Sequence, residues 1–401
     1  MQSDPRSQSL TFSGSRWDLA VMLLRGYLLM VPTIGLNRFW LTTRKRRFYW
    51  GHTGLGDDML EYTGDAQQLL IGFLMALAVF LPLYGLFFYL STQSVEIVIT
   101  GYGLVAVLVW FLYGYAQYRA RDFRLSRTLW RGIRFDQGGS AWRYGIRRFF
   151  WSLLNVVTLG LAYPFMAASL WRYRYGNSFY GDRQFRFAGS WRQLALPYYL
   201  TWAFVAVMAM VALVIANEAK LFEQPLEADA SAYGNLLLLA LAGLVLATVY
   251  RAAEMTRMFS AVQLGEARLA LRLSALRLLG QYLLFAFALG AAYLVLALGG
   301  FVVLGLVAPE AFAGGGFDLD VLMASIQSSV VTLLAIITGY LLMLAAFIFV
   351  SELVLGYGFW HLVARGASVS GLDSLDDVTA RAEDKALAGE GLADALNVGG
   401  Y

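Results

Sequence analysis

Few residues in this chain could carry chemistry. Glu352 lies near one end of a long apolar stretch with no cation close by in sequence. An acid so placed could relay protons or pair with a cationic substrate; a buried salt bridge to one of the repeated arginines is the competing explanation. Glu254 has Arg257 three residues on, so an ordinary ion pair along a helix accounts for it. His52, Asp57, Asp58 and Glu61 offer enough oxygen and nitrogen for a metal, but their spacing matches no tight ligand motif. A Gly-Asp pair that recurs reads more simply as a turn whose Asp accepts backbone N–H groups. His361 is the only other histidine and there are no cysteines, which excludes a multi-histidine site, disulfides and thiolate catalysis. Gly314-Gly315-Gly316 lacks the Gly-Lys-Ser/Thr of a phosphate loop, and no Gly-x-Ser-x-Gly or His-Glu-x-x-His is present. No enzymatic activity, catalytic residue, cofactor or metal is expected.

The arginines say more. Arg44-Lys45-Arg46-Arg47 and the pair Arg172 and Arg174 flank apolar stretches. Arg47, Arg172 and Glu352 are the candidate binding residues, whereas Arg44, Lys45 and Arg46 are candidate contacts to lipid headgroups, at ~1 kcal/mol per cation near an anionic surface. Their alternative role is to fix topology by staying on the cytoplasmic side. At 100° per residue Arg124, Arg127, Arg131 and Arg134 fall on one arc, with Leu125, Leu129, Trp130 and Ile133 on the other. That pattern predicts a basic amphipathic helix lying on the membrane or packed on other loops, and adds these four to the headgroup set. The net charge of +4 comes largely from arginines beside membrane segments, so anionic lipids are the expected partners rather than nucleic acid.

The elements that must position these residues belong to a membrane protein. Hydrophobic residues make up 59% and charged residues 14% of 401 residues, against ~25% charged in soluble domains. Six apolar runs, at about 69–90, 96–115, 194–217, 233–250, 278–307 and 328–360, are long enough to cross a ~30 Å hydrocarbon core. The expected fold class is an all-α polytopic integral membrane helical bundle, since a backbone without water must satisfy itself within helices. Two shorter stretches, 19–43 and 149–171, belong to a repeat with an offset of 125 residues. Gly14-Ser15 and Trp17 recur as Gly139-Ser140 and Trp142, and Thr33-x-Gly35-Leu36 as Thr158-x-Gly160-Leu161. Gly56-Asp57 recurs as Gly181-Asp182. Gly35, Gly160 and Pro164 break their stretches in the middle, so these are expected to be re-entrant or interfacial, keeping every basic segment and both termini cytoplasmic. If both instead cross, there are eight spans and the copies are inverted repeats. A thinner third match lays Leu264-Gly265-Glu266 on Leu55-Gly56-Asp57. The units expected are 1–125, 126–250, a degraded third over 251–364, and an acidic tail over 365–401. The tail shows no apolar stripe wide enough for a core, and is expected to be mobile or a short surface helix.

The string Thr33-Ile34-Gly35-Leu36-Asn37-Arg38-Phe39-Trp40, followed by Arg44–Trp50 and His52-Thr53, resembles the YjgN-like family of bacterial inner-membrane proteins. So do Thr158–Leu161 with Pro164, Arg172-Tyr173 and Asn177, the closing Phe185-x-Phe187-x-Gly189, and the ending Gly389–Asp394. Where that family's pattern would appear a third time, only Leu355-Gly356-Tyr357-Gly358-Phe359-Trp360 and Arg365 remain. The resemblance implies a multi-pass inner-membrane location and no activity. Duplication and broken membrane helices point to a transporter or channel-like protein for a small anionic or amphiphilic solute. The alternative is a non-transporting scaffold that grips lipid. Oligomeric state and substrate have no signature in the sequence.

Overall fold

The computed structural model describes residues 7–223, 229–314 and 316–381. Along the chain run β1 (Ser7–Phe12), α1 (Arg16–Met30), α2 (Arg38–Gly51), β2 (Thr53–Leu55), β3 (Asp58–Tyr62), α3 (Ala66–Ser91) and α4 (Val95–Ser126). Next come β4 (Thr128–Trp130), β5 (Ile133–Gln137), α5 (Ala141–Val157), α6 (Tyr163–Tyr175), β6 (Ser178–Tyr180), β7 (Arg183–Phe187), α7 (Trp191–Glu218) and α8 (Ala230–Phe259). The chain continues through β8 (Val262–Leu264), β9 (Ala267–Leu271), α9 (Ala275–Val307), α10 (Leu319–Ser328), α11 (Val330–Val350), α12 (Tyr357–Gly366) and β10 (Ala367–Ser370).

Six of these helices, with α11 and α12 counted as one across a π-helical turn, are long and apolar enough to span a membrane. They coincide with the six apolar runs. The all-α expectation, however, is wrong: the ten described strands close into one antiparallel barrel, in the order β1-β10-β9-β8-β7-β6-β5-β4-β3-β2. Four of its hairpins have a two-residue turn, which needs a left-handed φ to match the strand twist. Gly56, Gly181 and Gly265 supply it at φ +68°, +52° and +60°, and Arg131-Gly132 at +50° and +72°. The fifth strand pair has no turn. It joins the first strand to the last, Ser7 opposite Ser370, and so closes the ring.

Each hairpin receives one helix and sends out another, giving five sectors. The sectors are bolted together at the start of their first strands. Thr53, Thr128 and Ser178 each donate a side-chain hydroxyl to the carbonyl four residues back in the incoming helix, at 2.7, 2.8 and 2.8 Å. Each hydroxyl also accepts from another helix: from Trp360 and Trp50 indoles and from the Arg121 guanidinium, all at 2.9 Å.

The predicted basic helix over Arg124–Arg134 is also corrected. Only Arg124 is helical; Arg131 sits in a hairpin turn and Arg134 on β5, because Gly132 breaks the helix and Ile133–Gln137 alternates with a strand's period of two. The expectation of a coreless tail falls as well. Ala367–Ser370 is a strand, and Leu372, Leu375 and Val378 are buried against Trp130, Tyr180 and Leu264 inside the barrel. Residues 382–401 of that tail lie outside the described residues.

The broken stretches of the sequence are two helix pairs, α1–α2 and α5–α6. Ser13 N–H donates to His52 O at 3.0 Å, and Gly138 N–H to Asn177 O at 2.8 Å. Each pair thus ends beside the point where it began. The breaks match 125 residues apart: Ile34 and Leu159 both have φ +50°, and Gly35 and Gly160 N–H groups return to Met30 O and Asn155 O at 2.8 and 2.7 Å. The Thr33 and Thr158 hydroxyls cap the same turns, on Leu29 O and Leu154 O. Ser15 and Ser140 cap the helices that lead in. Pro164 opens α6, where a missing N–H costs nothing.

Candidate functional site

A polar site is built where residues of α2, α8, α9 and α12 come together. Ser351–Gly356, between α11 and α12, is π-helical. A wide turn of this kind breaks the regular backbone and is frequent at functional positions. It presents Glu352, whose Oε2 accepts from Lys45 Nζ at 2.7 Å and whose Oε1 accepts from Tyr49 OH at 3.4 Å. The two charged side chains are only 16% and 14% exposed, so each needs the other. Gly356 makes room for the acid: a Cβ there would lie 3.1 Å from Glu352 Oε1 and 3.5 Å from Tyr49 OH.

Beside this pair lies a cavity of about 280 Å³. Tyr49, Arg251, Gln281 and Tyr282 give it polar walls, and Leu278, Phe359 and Trp360 apolar ones. Gln281 Oε1 is buried with no hydrogen-bond partner. A Cβ at Gly358 would meet this amide and force it to shift.

A second buried acid, Glu254, accepts from Tyr163 OH at 2.9 Å. Arg257, its expected partner, instead donates to Gln193 O at 2.5 Å, which corrects the local ion pair. Tyr198 stacks on Tyr163 at 5.1 Å, and Tyr250 OH is buried without a partner.

Of the sequence-derived binding set, Glu352 is at this site. Arg47 and Arg172 are not; they donate to Gly64 O and Gly189 O at 3.1 and 3.2 Å, in matching places 125 residues apart. The headgroup set divides. Lys45 turns inward to Glu352, and Arg46 is buried, donating to Tyr62 OH at 2.9 Å. Arg44 and Arg134 are exposed. Arg127 donates to Gln68 Oε1 at 3.2 Å, while Arg124 ends α4. Arg131 bridges Asp58 at 2.8 Å and Asp376 at 2.6 Å. Burial lowers its pKa, but the hydrogen bonds to the two carboxylates outweigh that and leave it above the ordinary value. Asp57 is the second residue of its turn. Asp182 exchanges hydrogen bonds with Thr379 at 3.0 and 3.2 Å. Among the described residues, no group of three or more His, Asp or Glu gathers as a metal site.

The family model described as "Bacterial protein of unknown function (DUF898)" matches residues 7–395. The chain belongs to that family. This agrees with the YjgN-like resemblance and gives no activity. No curated protein and no solved structure matches the chain. Within this family member, sequence reasoning missed Arg251, Gln281 and Tyr49. Gln281 had a signal, being a polar residue just inside an otherwise apolar run; the other two acquire their place only when α2 and α8 are brought together.

Proposed function

We propose that this multi-pass protein is a transporter or channel-like protein that takes a small anionic or amphiphilic solute at the Glu352 cavity. One observation carries the reading: a largely buried Lys45–Glu352 pair beside a cavity that adds Arg251, an unpartnered Gln281 carbonyl and an apolar wall. An anionic head would find Arg251, while Leu278, Phe359 and Trp360 would receive an apolar body. The volume, about 280 Å³, is just under the ~300 Å³ at which ordinary ligand pockets begin, and suits a small ligand.

The basic barrel-side segments support an inner-membrane protein with its barrel and both termini in the cytoplasm. The paired breaks and caps 125 residues apart support duplication of a unit, with α1–α2 and α5–α6 re-entrant or interfacial. At 15 residues, α1 is ~22 Å long, short of the hydrocarbon thickness. Thermal unfolding of the purified protein with decanoate, against neutral decanol, tests the site. Decanoate should stabilise the wild type and not Arg251→Gln, because a ligand of the folded form raises its stability. An equal shift with decanol, or an undiminished shift in the variant, refutes this reading.

The second reading, a lipid-gripping scaffold, is favoured by the splayed spans: in the apolar window of each, at most 18% of residues are buried. Proteoliposome flux of decanoate separates the two, being expected for the first and absent for the second.

A further inference from the structure

The outer face of the barrel carries its charge in three-residue rows across adjoining strands. On β3, β4 and β5 the row is Glu61, Leu129, Arg134. On β5, β6 and β7 it is Asp136, Phe179, Gln184. On β7, β8 and β9 it is Arg186, Gln263, Arg268. The first row is balanced and the second has a single acid. The third sets two guanidinium groups on either side of one glutamine, with no carboxylate among them. Arg186 stands 125 residues from Glu61, so equivalent positions in two hairpins carry opposite charge.

Arg186 and Arg268 are both exposed, and among the described residues neither side chain has a hydrogen bond or an ion pair. None of β7, β8 and β9 carries an acid; Glu266 lies in the turn between β8 and β9. Two strand spacings, ~10 Å, separate the two arginine positions, so long side chains on either side of Gln263 can converge on one anion. At the helix end of the row, Arg257, Gln193, Ser260 and Gln263 line an open groove of about 490 Å³. Its other wall is Ala188 and Ala261, and it lies where α7 leaves the barrel and α8 enters it. Beyond it the two helices present exposed Leu196, Leu200 and Val249.

We infer that this arginine row, joined to the groove through Gln263, binds the phosphate of an anionic phospholipid, with Arg186 and Arg268 as its charged grips. Guanidinium forks match phosphate oxygens in pairs, and the glutamine amide adds a neutral donor. The apolar helix faces that continue from the groove give the acyl chains a path, which a free phosphate would leave unused. This site is separate from the Glu352 cavity and does not depend on it.

The test is thermal unfolding in a neutral detergent with dioleoyl phosphatidylglycerol, the corresponding phosphatidylcholine, or inorganic phosphate. Phosphatidylglycerol should stabilise the wild type, and the other two at equal concentration should not. The double variant Arg186→Gln, Arg268→Gln should bind phosphatidylglycerol roughly 30-fold more weakly, a factor of about 5 per cation. Its melting in phosphatidylcholine should stay that of the wild type. Arg186→Glu, which recreates the balanced first row, should weaken binding without loss of fold, and Arg134→Gln should leave binding unchanged. Undiminished phosphatidylglycerol affinity in the double variant, or an equal loss in Arg134→Gln, overturns the inference. So does stabilisation by inorganic phosphate alone, which would assign the site to a soluble anion.

Discussion

Lys45 and Glu352 are 307 positions apart, and their contact fastens the last membrane helix to the first helix pair. Removing one partner leaves a largely buried charge, which costs more than the pair contributes. Lys45→Met should therefore lower stability by about 3 kcal/mol, and Glu352→Gln in that background should restore most of it. Additive losses in a double-mutant cycle would show that the two side chains do not act together. Tyr180 offers a pH-dependent counterpart within the barrel. Its hydroxyl donates to Trp130 O at 3.0 Å, and burial pushes its pKa up to about 12. The ordinary value is ~10, so the folded form holds the proton more tightly than the unfolded chain. Its contribution is then complete below pH ~10 and is lost as pH rises towards the folded pKa. Melting followed by tryptophan fluorescence should fall more steeply above pH ~10 in the wild type than in Tyr180→Phe; parallel curves would remove Tyr180 from the alkaline transition.

Among the elements, long apolar runs were readable because a membrane helix repeats one signal for twenty residues or more. The recurring Gly-Asp pairs were readable as turns, because a left-handed φ is demanding enough to leave a mark in one residue. The strands they join were not. Each has three to six residues, too short for alternation to stand out, and Arg124, Arg127, Arg131 and Arg134 fit a helical arc by coincidence because a turn falls among them. The tail's three apolar residues, Leu372, Leu375 and Val378, gain a partner only once nine other strands have closed around them. Lys45 facing Glu352 is non-local in the same way. The turns allow a graded test. Gly265→Ala meets no atom within 4 Å, so it pays only the left-handed backbone penalty of ~1 kcal/mol. At Gly181 the added Cβ would run into Thr379 O, the residue that anchors the tail. Gly181→Ala should therefore cost more than Gly265→Ala and expose the tail to protease at temperatures where the wild type resists. Equal melting shifts and equal proteolysis would show that the tail does not bear on this turn.

For the whole molecule, the barrel determines the topology. Every span begins or ends at a strand, and each helix hairpin leaves the ring and comes back to it, so the five sectors hang from one side. The far connections around Gln93 and Glu310 must share the opposite side. The tail locks the free mouth of the ring: Asp376 and Asp377 reach Arg131 and Arg183 at 2.6 and 2.7 Å, above the plug of Leu372 and Leu375. The chain has no cysteine, so single cysteines report position without background. An impermeant maleimide applied to intact cells should label Gln93→Cys and Glu310→Cys. Gln184→Cys and Glu266→Cys, on the barrel, should react only after the membrane is opened. If Gln184→Cys labels in intact cells as well as Gln93→Cys, the barrel does not lie on one side with the far loops on the other. If instead the barrel positions label and the loops do not, the ring is periplasmic, and the arginines that surround it do not set the orientation.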